Sequence, residues 1–130
     1  MKYFTIKELS ETNTGLQNIP TQEAIANLEN LVEKILDPVR EFWGAPIIVN
    51  SGYRSEAVNI AVGGVASSQH LKGEAADITV GNPTKNRQLF EMLANGGYEF
   101  DQLIDEKNYT WIHVSLKRSG NNRRQILHLK

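Results

Sequence analysis

The first half of the chain carries apolar residues at the spacing typical of helices. A capping-box pattern at residues 5–8 predicts a short helix near the start of the chain. Between residues 21 and 44, apolar side chains recur every three or four positions, which predicts one long amphipathic helix with its apolar stripe in the core. The stripe consists of Ile25, Leu28, Leu31, Val32, Ile35, Leu36, Val39 and Phe42. Pro38 lies within this pattern, so we expect a kink there.

The second half carries shorter apolar runs separated by turns, which is typical of strands and short helices. Residues 100–106 and 111–116 predict the two strands of a hairpin, and residues 125–129 predict a last edge strand. The other expected elements are a buried strand at 47–49, a helix at 55–62, a strand at 75–80 and a helix at 84–95 capped by Thr84. Because helices come first and hairpin strands later, we expect an α+β fold with a small, mostly antiparallel sheet flanked by helices.

Composition narrows the class of protein without identifying it. The chain has 130 residues, 40% of them hydrophobic, and a formal net charge of -1, so we expect a single domain over residues 1–130. No basic excess favours nucleic acid or an anionic membrane surface. We expect no membrane span and no secretory signal peptide, because no apolar run is long enough. The absence of cysteine excludes disulfides, thiolate metal sites and cysteine nucleophiles, so any metal must be held by histidines and carboxylates.

A polar cluster lies between residues 67 and 78. Within it His70 falls in a loop, whereas Asp77 interrupts an otherwise apolar strand. A carboxylate buried in such a strand is costly unless it is paired or bound to a metal. Asp77 is therefore predicted either to form an ion pair with Arg54 or Lys72, or to be a metal ligand.

A second cluster lies at residues 111–115. If Ile112 and Val114 face the core, then His113 faces the other side of the sheet. A single histidine on a strand is usually a hydrogen-bonded structural residue. Two histidines and one aspartate, however, would supply the three protein ligands of a catalytic zinc ion, with a fourth position open. Imidazole and carboxylate donors suit zinc better than calcium or magnesium.

Three motifs occur in the order in which a known family carries them. They are S-G-Y-R-S at residues 51–55, S-x-H-x-x-G-x-A-x-D at residues 68–77 and W-I-H-V-S at residues 111–115. The stretch over residues 51–116 thereby resembles the zinc peptidases of peptidoglycan, that is, the D-alanyl-D-alanine carboxypeptidases and the phage L-alanyl-D-glutamate endopeptidases. The resemblance implies zinc as cofactor, peptidoglycan peptides as substrates and the fold that these peptidases share with hedgehog proteins.

The resemblance also implies roles for individual residues. The zinc ligands would be His70, Asp77 and His113. Arg54 matches an arginine that binds a substrate carboxylate or polarises the scissile carbonyl, and Ser68 matches a serine beside the site. The structural alternatives for these two are a surface ion pair and a loop turn. We also expect Trp111, on the same strand face as His113, to contact the substrate.

The general base is the least defined residue. Several family members carry an acid three positions before the last histidine, where this chain has Thr110. Hedgehog-like members place a glutamate farther upstream, a pattern that Glu106 fits. A four-residue loop at 107–110 would pair Glu106 with Trp111 and put it on the face of His113, about 7–8 Å away diagonally.

Two other carboxylates remain as alternative bases. A five-residue loop would put Asp105 on that face instead, and Asp101 is a more remote alternative. The carboxylate that is not the base would simply be a solvated charge in the turn. His128 matches no motif, so we expect a surface residue on the edge strand.

Three functions remain open from the sequence. The first is a zinc peptidase that cuts the peptidoglycan stem or cross-link as a D,D-carboxypeptidase or endopeptidase, as a phage endolysin would. The second is a zinc-containing binding module without catalysis. This alternative is favoured by Thr110, which stands where several family members have an acidic residue. The third is a D-alanyl-D-alanine dipeptidase. We expect a monomer that is made in the cytoplasm and acts at the cell wall after release.

Overall fold

The computed structural model describes residues 1–130 and confirms the α+β class. The helical elements are α1 (Ile6–Leu9), α2 (Gln22–Leu31), a π-helical segment (Val32–Leu36), α3 (Asp37–Trp43), α4 (Glu56–Ala61), a 3-10 turn (Gln69–Lys72) and α5 (Pro83–Asn95). The strands are β1 (Ile48–Ser51), β2 (Ala75–Thr79), β3 (Gln102–Glu106), β4 (Trp111–Ser115) and β5 (Gln125–Leu129). None of the helices has the length and apolar character needed to cross a membrane.

The strands form one sheet of five in the order β1-β2-β4-β3-β5. All neighbouring pairs are antiparallel except β3 and β5, which run parallel. The predicted hairpin of β3 and β4 and the predicted edge strand β5 are both confirmed. The mostly antiparallel sheet therefore has its hairpin beside the strand that carries Asp77.

Register decides which side chains share a face of the sheet. His113 lies opposite Asp77 on one side and opposite Ile104 on the other. Glu106 lies opposite Trp111, which is the register of the four-residue loop. Since directly opposite residues in an antiparallel pair project to the same side, these five side chains share one face, called here the site face.

The other face of the sheet packs against the helices. Its side chains join those of α2, the π segment, α3 and α5 in one apolar core. The sheet contributes Ala76, Ile78, Leu103, Ile112 and Val114 to that core. The apolar core therefore lies directly behind the strands that carry the polar cluster.

The long helix is interrupted ahead of its proline rather than simply kinked at it. The Asp37 amide donates to the Val32 carbonyl, five residues back, which is the hydrogen bond of a π turn. Pro38 has no amide hydrogen and its ring crowds the preceding turn, so the wider π turn accommodates it. The assignment of Phe42 to the core stripe is wrong: it is 77% exposed, because the π turn rotates the positions that follow it out of the stripe.

Two further expectations are corrected. The strand predicted as buried at 47–49 is the edge strand β1, and Ile48 is 55% exposed because it lies opposite Thr79 and projects to the site face, away from the helices. Thr84 does not cap α5. The helix begins at Pro83, and the Asn82 side chain accepts a hydrogen bond from the Lys85 amide at 2.9 Å. Proline suits the first helical position, where its missing N–H would be unpaired anyway, so the cap lies before it.

Candidate metal centre

Three polar side chains from separate elements converge on the site face. His70 comes from the 3-10 turn, Asp77 from β2 and His113 from β4. His70 Nε2 lies 3.3 Å from Asp77 Oδ1, and His113 Nδ1 lies 2.9 Å from the same oxygen. The two imidazole rings stand edge to face with 5.1 Å between their centres. One ligand atom from each residue lies within 4.8 Å of the others.

Short-range backbone features fix the turn that carries His70. The Ser68 hydroxyl accepts a hydrogen bond from the His70 amide at 3.2 Å and so caps the turn. Gly73 ends it with φ of 73°, and a Cβ there would stand 2.5 Å from the Ala24 carbonyl oxygen. Only glycine meets both conditions, so this turn can pack closely on α2.

The imidazole of His70 is oriented by a main-chain carbonyl. Its Nδ1 donates a hydrogen bond to the Gly52 oxygen at 2.6 Å, which leaves the Nε2 lone pair facing Asp77. Gly52 in turn packs on α1: a Cβ on it would stand 2.3 Å from the Leu9 oxygen, and Tyr53 N donates to that oxygen at 2.7 Å. The ring position of His70 therefore depends on a close approach between two backbones.

The two oxygens of the buried Asp77 carboxylate have different partners. Oδ1 faces both imidazoles, whereas Oδ2 accepts a hydrogen bond from Arg54 at 3.2 Å. Burial acts to raise the pKa of this carboxyl, but hydrogen bonds and charge from His113 and His70 outweigh it and hold the pKa well below its usual range. Asp77 is thus an anion poised between three nitrogen groups, and Lys72, the other proposed ion partner, is not among them.

The spacing and chemistry of this donor set fit zinc. A tetrahedral zinc ion with ligand distances of about 2.0–2.1 Å separates its ligand atoms by roughly 3.3 Å. The 3.3 Å and 2.9 Å separations around Asp77 Oδ1 are close to that value. Two imidazole nitrogens and one carboxylate oxygen are ligands that zinc accepts and that calcium does not favour.

Three side-chain hydrogen bonds hold the Arg54 guanidinium beside the metal cluster. Its Nε donates to Ser51 Oγ at 3.0 Å and its Nη1 to Asn59 Oδ1 at 3.3 Å, in addition to the Nη2 contact with Asp77. A guanidinium has five N–H groups, so these three bonds leave two N–H groups for another acceptor. Gly64 lies beside it, since a Cβ there would stand 3.1 Å from Arg54 Nη1.

Comparison with known proteins assigns a family to this arrangement. The profile of Peptidase M15 matches residues 2–115. The chain belongs to the Peptidase M15 family. The zinc D-Ala-D-Ala carboxypeptidase of Streptomyces albus G is 37% identical over 81 residues, which cover 61% of this chain and 32% of that protein. The chain thus spans about a third of the length of this relative. Family and donor set together support a zinc metallopeptidase.

The candidate bases of this M15 family member lie in different places. Glu106, at the end of β3, is half-buried on the site face opposite Trp111. Asp105 lies opposite the core residue Ile112, so the five-residue-loop alternative that put it beside His113 is wrong. The two-residue periodicity of β3 allows only one of the two neighbouring carboxylates on each face.

The remaining acidic and histidine positions are engaged elsewhere. Asp101 is buried and bound by Arg123, with 2.6 Å between Arg123 Nη2 and Asp101 Oδ2. His128 lies on β5 with its side chain 60% exposed, which confirms the edge-strand expectation, and it contacts the Asp105 carboxylate. Neither Asp101 nor His128 joins the metal cluster.

Sequence reasoning missed two polar residues that build the site. Asn59 is buried and fixes the loop beside Arg54: its Nδ2 donates to the Val65 oxygen at 2.9 Å. Asn86 is buried on α5 and contacts the β3–β4 turn. An asparagine at a position of the helical pattern that should face the core was the available signal, because a buried amide is retained only where it is hydrogen-bonded.

Proposed function

We propose that this chain hydrolyses a peptide bond in the stem or cross-link of peptidoglycan, as a single zinc peptidase domain. The observation that carries the proposal is the convergence of His70, Asp77 and His113, whose ligand atoms lie within 4.8 Å of one another. The relative from Streptomyces albus G, a zinc D-Ala-D-Ala carboxypeptidase, supports the class of substrate. In the proposal these three residues hold the zinc ion.

In the proposal, Arg54 beside the metal cluster binds the substrate. Bound zinc supplies Lewis acidity, which lowers the pKa of water to about 7 and polarises a carbonyl group. Arg54 binds a substrate carboxylate or carbonyl oxygen through the two N–H groups that its bonds to Ser51, Asn59 and Asp77 leave over. The substrate oxygen is therefore held beside the Asp77 carboxylate.

Glu106 is the proposed general base. It ends β3 opposite Trp111, two positions from the residue that faces His113, so its carboxylate shares the site face with the cluster. Glu106 takes a proton from the attacking water and returns it to the leaving amine. Trp111, on the same face, supplies an apolar wall for the substrate, and Ser68 holds the turn that carries His70.

The test of the base compares two neighbouring carboxylates. Glu106→Gln is expected to lower kcat on purified peptidoglycan by at least about 100-fold while one zinc ion per chain stays bound. Asp105→Asn serves as the matched control, because its side chain projects to the other face. New free amines report hydrolysis, and metal analysis reports zinc. Full activity of the Glu106 variant with zinc bound would eliminate this residue as base.

The bond that is cut decides between the narrower activities. Release of free D-alanine from a stem pentapeptide indicates a carboxypeptidase, whereas shortened cross-linked fragments indicate an endopeptidase. Hydrolysis of the free dipeptide alone would indicate a D-alanyl-D-alanine dipeptidase. Binding of peptidoglycan without release of new amines would favour a non-catalytic module, the alternative that the non-acidic residue Thr110 supports. We further propose that the chain reaches the cell wall after release from the cytoplasm.

A further inference from the structure

Asn86 on α5 is fully buried, and its amide group joins two separate parts of the molecule. Its Oδ1 accepts hydrogen bonds from Val80 N at 2.8 Å and from the Thr79 hydroxyl at 3.2 Å. Its Nδ2 donates to the main-chain oxygens of Tyr109 and Thr110 at 2.9 Å and 3.1 Å. Asn86 therefore ties the end of β2 to the turn between β3 and β4.

The turn that Asn86 holds has an unfavourable backbone. Lys107, Asn108 and Tyr109 have φ angles of 49°, 55° and 65°, so three successive residues other than glycine occupy the left-handed region. Such residues persist only where their surroundings over-determine them. The turn begins directly at Glu106, whose main-chain oxygen accepts a hydrogen bond from Thr110 N at 3.0 Å.

Helix α5 supplies apolar and cationic contacts to the same turn. The rings of Phe90 and Tyr109 pack edge to face with 5.5 Å between centres, and the Arg87 guanidinium carbon lies 5.8 Å from the Tyr109 ring centre. Phe90 lies four positions after Asn86 and three after Arg87, so each of these two residues is its neighbour on the helix surface. Of the three, only Asn86 bonds to the backbone of the turn, so it is the contact that sets the backbone path.

We propose that Asn86 is a positioning residue for Glu106. By holding the Tyr109 and Thr110 carbonyls, its amide keeps the left-handed turn closed and thereby fixes the Glu106 side chain at the end of β3. This inference rests on the proposed function, in which Glu106 is the base. Asn86 has no hydrogen bond to the three residues of the metal cluster, so its loss is expected to displace the base and to leave the zinc ligands in place.

The kinetic test uses the zinc-loaded protein and purified stem peptide. Asn86→Ala is expected to lower kcat by about 10-fold to 100-fold, because a small misplacement of a reacting group has an effect of that size. KM is expected to stay within about twofold and zinc at one ion per chain, since the proposed substrate and metal contacts are untouched. Asn95→Ala is the matched control: this asparagine lies on the same helix, and its amide bonds only to the Glu91 oxygen, away from the turn. Equal kcat in the two variants would overturn the inference.

Coupling between the two residues separates positioning from general damage. In the Glu106→Gln background, adding Asn86→Ala is expected to cause no further loss of kcat, because the group being positioned is already gone. A loss that multiplies with that of Glu106→Gln would overturn the inference. If the parent protein releases no amines from peptidoglycan, the proposed function fails. If Glu106→Gln alone retains full activity, the assignment of Glu106 as base fails and the positioning role of Asn86 fails with it, so the two failures are distinguishable.

Amide hydrogen exchange gives a readout that does not depend on turnover. Exchange of the Thr110 amide, which closes the turn onto Glu106, is expected to accelerate at least about tenfold in Asn86→Ala and to stay unchanged in Asn95→Ala. Asn86→Ser, which replaces the amide by a hydroxyl donor and leaves less empty space than alanine, is measured in parallel in case the alanine variant does not fold. Unchanged Thr110 exchange in a folded Asn86 variant would contradict the proposal.

Discussion

The Asp77 carboxylate connects the metal cluster to Arg54 because each of its oxygens serves a different group. Oδ1 faces the two imidazoles and Oδ2 is held by the guanidinium. The bond to Arg54 orients the carboxylate so that Oδ1 remains directed at the cluster. The geometry is therefore compatible with both interpretations of Asp77 that the sequence offered. One oxygen forms an ion pair with Arg54, and the other is a candidate metal ligand.

Arg54→Lys is expected to weaken substrate binding and to spare the metal. One ammonium group cannot reproduce the forked contacts to Ser51, Asn59 and Asp77 while offering two further N–H groups to a substrate. Losing a charge-assisted hydrogen bond costs about 1.5–3 kcal/mol, so KM is expected to rise roughly 10-fold or more. Steady-state kinetics on stem peptide with parallel zinc analysis checks this. An unchanged KM would show that Arg54 does not contact the substrate.

At the residue scale, the sequence predicts side chains better than close backbone approaches. The resemblance of the motifs at residues 68–77 and 111–115 to the zinc peptidases predicted that His70, Asp77 and His113 converge, whereas the spacing alone left Asp77 open between an ion pair and a metal ligand. Nothing in the sequence shows that Gly52 must lie against Leu9, because that approach depends on how α1 packs on the chain before β1. Contacts between segments distant in sequence need the packed molecule.

Among the elements, the parallel pair of β3 and β5 depends on a clamp at its start. Asp101 precedes β3, and its carboxylate accepts bonds from Arg123 N and Nε, both at 3.0 Å. The main-chain N–H of Gln125 donates to the main-chain oxygen of Asp101 at 3.0 Å. Hydrogen bonds from Arg123, partly opposed by burial, lower the pKa of the Asp101 carboxyl to about 2. The contribution of Arg123 to this clamp therefore weakens when the carboxyl is protonated.

The clamp gives stability a defined pH dependence. Because the folded pKa of Asp101 is about 2 and its usual value is 3.8, its contribution is complete above about pH 4 and is lost as pH falls toward 2. Asp101→Asn is expected to lower the free energy of unfolding at pH 7 by on the order of 1 kcal/mol, after allowance for solvent screening of half-exposed Arg123. Urea unfolding at pH 7 and at pH 2.5 checks both, with the difference between variant and parent shrinking at the lower pH. Glu29→Gln, on an exposed face of α2, is the control.

Element type was predictable here, and element boundaries were less so. The apolar period of the long helix survives in α2, the π segment and α3, but the rotation that exposes Phe42 depends on how the backbone widens ahead of Pro38. The edge position of β1 follows from strand order, which a single sequence does not specify. The parallel direction of β5 likewise depends on the path between residues 116 and 125.

For the whole molecule, the cluster joins segments that are far apart in the sequence. Its residues come from a turn near residue 70 and from two paired strands, and His113 follows His70 by 43 positions. An ion that binds this folded arrangement and not the unfolded chain stabilises folding by an amount that grows with the logarithm of its free concentration divided by its dissociation constant.

Removing the metal is therefore expected to lower the melting temperature. At a free zinc concentration about 1,000 times the dissociation constant, binding contributes about 4 kcal/mol, which corresponds to a fall of roughly 10 °C or more on chelation. Calorimetry with and without chelator measures this, and added zinc is expected to restore the parent value. Asp77→Asn, which replaces the central carboxylate, is expected to melt at the same temperature with and without chelator. A parent protein indifferent to chelator and to zinc would contradict the assignment of the cluster.

The contact between α1 and Gly52 implies that metal affinity depends on residues near the beginning of the chain. Leu9 touches Gly52, and Gly52 orients the ring of His70, so two main-chain contacts link the first helix to a proposed ligand. A tag or fusion that disturbs α1 would then weaken zinc uptake without altering any residue of the cluster. Preparations of this protein are best compared for metal content with the same amino-terminal extension throughout.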